Sequence, residues 1–204
     1  MKIATCGIAA LVLTAGLASA QTVIDNGQFG VNISSIGGAN GSDIYAQSFV
    51  VPTDNRLIQF GMWLQGGGQD APAVRIDLWG NDANNQADEN NVLVSGTVHQ
   101  GNLDNLTRID TFTSIDLVPG NTYWIVINGL IDQTSGGVYA STWDGGTNTI
   151  ASGHMDWSND LGNTWSGGID NGDFGVYASF VPVPTPGTAG LLALGGLAAM
   201  RRRR

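Results

Sequence analysis

Six tryptophans and one stretch of acids and amides hold most of the chemistry this chain can offer. An indole ring left open to solvent stacks on the apolar face of a pyranose, so Trp79, Trp157 and Trp165 are the candidate glycan contacts. Trp79 leads, because alternation along Ala73–Trp79 turns it away from Val74, Ile76 and Leu78. The competing explanation is core packing, which also claims Trp63, Trp143 and above all Trp124. The acid and amide stretch runs from Asn81 to Asn91. Asp82, Asn84 and Asp88 fall at positions 1, 3 and 7 of an EF-hand count and offer the hard oxygen ligands Ca²⁺ takes. The count fails afterwards: Gln86 stands at position 5, Ala87 replaces the turn glycine, and Leu93 replaces the bidentate Glu. Calcium is thus a candidate on ligand type alone, and no other cofactor is expected. His99 and His154 are the only histidines and sit in no metal-spaced pair, and there is no G-x-S-x-G. Paired carboxylates for glycoside hydrolysis carry no signal among seventeen acids. The expectation is a protein that is not an enzyme.

Strands must position these residues. No stretch between Gln21 and Pro182 keeps a helical apolar stripe over three turns. Strand patterns recur at 45–51, 56–64, 73–79, 91–99, 109–117, 122–129, 138–143 and 174–181, separated by turn-forming residues. Thr122–Asn128 is apolar on both faces, which predicts a place in mid-sheet. Eight strands without alternating helices predict an all-β fold: an antiparallel β-sandwich of jelly-roll type. Two long loops interrupt it, 81–91 and 144–172, and loops of that length are usually functional or disordered.

The ends of the chain have a different character. Lys2, the apolar run Ile8–Leu17 and the small-x-small Ala18-Ser19-Ala20 form a secretory signal helix, cleaved by signal peptidase before Gln21. Cys6, the only cysteine, leaves with it, so the exported chain holds no disulfide and no thiolate site. Between Gln21 and Pro182 three arginines face seventeen acids, a net charge of −14. Such a surface excludes nucleic acid and anionic lipid as partners.

The C-terminus reads Val183-Pro184-Thr185-Pro186, an apolar stretch to Met200, then Arg201, Arg202, Arg203 and Arg204. Thr188–Met200 spans about 20 Å as a helix, short of a hydrocarbon core of about 30 Å. The arginines would hold the end on the cytoplasmic side, a transient inner-membrane anchor. This layout resembles the bacterial PEP-CTERM sorting signal, with Thr185 where that family usually has Glu. The resemblance implies recognition by an exosortase-type enzyme, removal of the tail, and delivery to the cell surface or extracellular matrix. Domains expected are a signal peptide over 1–20, a β-sandwich over 21–182 and a sorting tail over 183–204. The expected role is adhesion or structural interaction, with extracellular polysaccharide as partner. The alternative is a secreted carbohydrate-binding module or carbohydrate-active enzyme.

Overall fold

The computed structural model describes residues 21–27, 31–38 (31–35 by backbone alone), 44–129, 131–145, 149–150, 153–160, 163–166 and 172–183. Ala18 and Ala20 of the signal site lie outside the described residues, as do Pro184, Thr185, Pro186 and Arg201–Arg204 of the tail.

The described chain is all-β. Its strands are β1 (Thr22–Asp25), β2 (Val31–Ile36), β3 (Ile44–Val50), β4 (Arg56–Gly66), β5 (Ala73–Asn81) and β6 (Ala87–Val94). They continue with β7 (Val98–Gln100), β8 (Leu103–Asp116), β9 (Thr122–Asn128), β10 (Tyr139–Trp143), β11 (Met155–Ser158) and β12 (Val176–Val181). In one sheet β4 pairs β8 along one edge; β12 and β10 share its other edge and lead to β1 and β2. The other sheet runs β11-β3-β9-β5, and β6 and β7 divide the outer edge of β5. Every pairing is antiparallel.

Alternation builds the core between the sheets. Phe60, Met62 and Leu64 of β4, with Val176, Ala178 and Phe180 of β12, pack in one cluster with Val74, Ile76 and Leu78 of β5 and Ile125 and Ile127 of β9. Each such side chain contributes roughly 1.5–3 kcal/mol on burial. β9 lies mid-sheet between β3 and β5, where its two apolar faces require it.

Three expectations need correction. Among the described residues twelve strands replace eight, three of them because β1, β2 and β11 are too short or too polar to show a period. The predicted 91–99 strand is two strands, β6 and β7, broken at 95–97. The 81–91 segment is no long loop: Ala87–Asn91 is strand, paired back through Asn81↔Ala87 and Gly80↔Asp88, and only 82–86 turns.

A second apolar layer lies on the outer face of the β11-β3-β9-β5 sheet. Ile44, Ala46, Trp79, Trp124, Val126 and Ala87 form it, with Trp165 packed on top. Residues that alternation turns away from the core are therefore not all turned to water.

Candidate functional site

The base of the long 144–172 segment is clamped at both ends. Asp144 N–H donates to Asp173 O (3.0 Å), and Asp173 N–H donates back to Asp144 Oδ1 (3.1 Å). The fully buried Asp173 carboxylate accepts from Gln47 Nε2 and from Ile150 N–H, each at 2.7 Å. Gln47 Oε1 in turn accepts from Phe174 N–H at 2.8 Å. Burial pushes the Asp173 carboxyl up from its ordinary range and the negative charge of Asp144 adds to this, against hydrogen bonds from Ile150, Gln47 and Thr149. A carboxyl raised in the folded state binds its proton more readily there than in the unfolded chain. Stability then falls as pH rises from the unfolded value of about 3.9 through the higher folded one. Melting temperature against pH should therefore fall more steeply over that window in the wild type than in Asp173→Asn. Parallel profiles would show that Asp173 is not strained by its burial.

Above this clamp the chain returns as β11 and then folds over the sheet. Asp160 organises the turn. Its Oδ1 accepts from Thr164 N–H (2.8 Å) and Ser158 Oγ (2.9 Å), and its Oδ2 accepts from Thr164 Oγ1 (2.6 Å). The Thr164 hydroxyl and N–H hold the Asp160 carboxyl below its usual range, so it stays ionised. Ser166 N–H donates to Trp157 O (3.0 Å) and closes the turn onto β11. Trp165 is thereby laid over two buried rings. It stacks on Trp124 at 6.4 Å between centroids and 27°, and meets Trp79 edge-on at 6.5 Å and 85°. Trp124 is fixed in turn by the His154 ring at 4.8 Å and by donating from Nε1 to Asn81 Oδ1 at 2.8 Å.

The β5–β6 turn forms the facing wall. Asp82 Oδ1 accepts from the N–H groups of Asn84 and Gln86, both at 2.8 Å, and Oδ2 accepts from Asn84 Nδ2 at 3.2 Å. Asn85 takes the left-handed conformation the turn needs, at φ 62°. Beyond it β6 bulges between Gly80↔Asp88 and Trp79↔Val92. Asn91 fills the space over Gly80, where a Cβ would lie 2.0 Å from Asn91 Nδ2.

Between these walls lies an open cleft of about 240 Å³, lined by Asp82, Asp88, Glu89 and Asn90 on one side and by Asn163 and Trp165 on the other. Trp165 is also a wall of an adjoining cleft of about 180 Å³ with Trp157, Asn159, Asp160 and Ser166. One partly exposed indole is thus flanked on both sides by amides and carboxylates.

The fold brings Trp165, Asp82, Asn84 and Asp88 together, which spacing alone did not show. It removes Trp79 as a contact: the ring is 2% exposed, covered by the second layer, although alternation does turn it from the inner core. Trp157 pairs opposite Tyr45 and packs half-buried against the inner core, with an edge at the smaller cleft. All three residues of the calcium trio line the larger cleft. Asp82 and Asn84 bond each other, while Asp88 Oδ1 accepts from Asn90 N–H at 2.9 Å. Among the described residues no three His, Cys, Asp or Glu side chains group closely enough to hold a metal.

The two histidines are placed apart: His99 lies beside Tyr139 at 5.8 Å, and His154 beside Trp124. Sequence reasoning missed a Ser–His contact, Ser48 Oγ to His154 Nδ1 at 3.3 Å. That hydroxyl is buried and accepts from His154 N–H at 2.9 Å, which makes it a tie between β3 and the loop rather than a nucleophile. No periodicity could have shown it, because 106 residues separate the two. Among known proteins no family model matches this chain, and no curated relative is similar enough to match it.

Proposed function

We propose that this chain is an exported, non-enzymatic protein of the cell surface or extracellular matrix, which holds extracellular polysaccharide in the Trp165 cleft. The observation that carries the reading is the ring of Trp165. It rests on a buried aromatic base, is partly open to solvent, and is edged by Asp88, Asn90, Asn163 and Asp160. A sugar ring needs that combination: an apolar plane for its C–H face, and amide and carboxylate groups for its hydroxyls. We read the sandwich as a jelly roll, since from β7 onward each strand passes to the opposite sheet from the last. The terminal segments complete the reading. Signal peptidase cuts before Gln21, the 183–204 tail anchors the chain transiently, and an exosortase-type enzyme removes the tail.

The test is a glycan array probed with the exported protein and with Trp165→Ala. Binding is expected to weaken at least about tenfold in the variant. Wild-type protein that binds no glycan, or a variant that binds equally well, would remove the cleft from the account. For sorting, the intact mass of surface-extracted protein should lack the residues after about Pro186; a species retaining Arg204 contradicts processing.

A further inference from the structure

The fourteen-residue strand β8 forms one edge of its sheet: it pairs β4, and among the described residues no strand pairs its other side. Long open edges are ordinarily blunted by proline, by bulges or by charges that repel a second strand. β8 contains no proline, and its two register shifts fall near its ends, leaving 107–112 in regular register against β4. Trp63 N–H points away from β8, to Gly175 O. By antiparallel alternation Met62 and Ile109 then bond each other, and Arg108, Asp110 and Phe112 direct their backbone groups to the open edge.

The side chains along this edge are self-complementary. A two-fold axis through Ile109 sets Arg108 of one copy opposite Asp110 of the other, Thr107 opposite Thr111, and Leu106 opposite Phe112, each pair occurring twice. Opposite parity would have set apolar against charged; this register keeps each face with its own kind. Phe112 is 76% exposed, the most open of the large apolar side chains among the described residues. The Arg108 guanidinium is already held rigid, 3.8 Å over the Tyr177 ring and bonded to Asp110 at 2.7 and 3.1 Å. Both side chains lean over β4 toward β12, so across the seam the two copies meet in an alternating order of Arg108 and Asp110 backbone positions.

We propose that β8 pairs antiparallel with β8 of a second copy of this chain about Ile109, joining the two sheets into one. The contact is isologous, so it closes as a dimer and leaves both Trp165 clefts free on the other sheets.

Sedimentation velocity of the exported protein over a concentration series should show the mass doubling. Phe112→Arg replaces a solvent-exposed side chain, so melting temperature should hold while dimerisation weakens at least about tenfold. Arg108→Asp and Asp110→Arg should each be monomeric alone, one edge all acidic and the other all basic. Mixed in equal amounts they should form a heterodimer, which damage to folding could not produce. Wild-type protein that stays monomeric at about 0.2 mM, a dimer indifferent to Phe112→Arg, or a mixture that does not associate would each overturn the proposal.

Discussion

Trp124→Ala is expected to cost the domain about 3–5 kcal/mol, the range for removing a large aromatic from a packed core. Trp124 is fully buried at the centre of the second apolar layer, between the Trp165 and His154 rings, with its Nε1 hydrogen bonded to Asn81. The substitution removes the indole and leaves the Asn81 acceptor without that donor. It should also weaken polysaccharide binding, although no atom of Trp124 reaches solvent, because Trp165 loses the surface it stacks on. Trp124→Phe should retain most of the stability. Urea denaturation gives the first quantity and glycan titration the second. A loss below about 1 kcal/mol would mean that the second layer is not a packed core.

A loss of similar size, about 3–5 kcal/mol, is expected for Asp77→Ala, because it strands a partly buried cation. Asp77 has no exposure to solvent and takes both arms of Arg75, Nε to Oδ1 at 2.6 Å and Nη2 to Oδ2 at 2.8 Å. It also accepts from Gly96 N–H at 3.0 Å and from Asn128 Nδ2 at 3.2 Å. The carboxylate thus ties β5 to β9 and to the 95–97 crossing that separates β6 from β7. Replacing Arg75 and Asp77 together by leucine should cost much less than Asp77→Ala, since no charge is then left without its partner. A double replacement as costly as the single one would show that the ion pair matters through its shape rather than its charge.

These two residues also show how far the sequence could be read. Along β5 the alternation of Val74, Ile76 and Leu78 with Arg75, Asp77 and Trp79 was legible, and it assigned the inner face correctly. It gave no means of telling that the opposite face is covered too. Period-2 reasoning separates two sides of a strand, not core from solvent, so Trp79 read as open and is buried. Trp124 stood out because Thr122–Asn128 is apolar on both faces, the local mark of a sheet covered twice. Ala87–Asn91 reads as polar loop because it is a strand by virtue of its pairing with β5, not of its own apolar content. In the same way Met155–Ser158 carries only Met155 and Trp157 as a period, too little to stand out among glycines and amides. The candidate cleft was therefore legible in its parts, Trp165 and the 82–88 acids, and illegible as a site. The clamp at Asp144 and Asp173, which closes the base of the segment carrying Trp165, acts across 29 residues.

The most direct test of the account is the indole N–H region of a ¹H–¹⁵N spectrum, followed while extracellular polysaccharide of the producing cell is added to the exported protein. Six tryptophan side chains report at once from defined places in the fold. The account predicts that the Trp165 resonance shifts most and that Trp157 follows, while Trp63 and Trp143, which lie outside both clefts, hold still. A titration that moves Trp63 or Trp143 and leaves Trp165 in place, or that moves none of them, would contradict it.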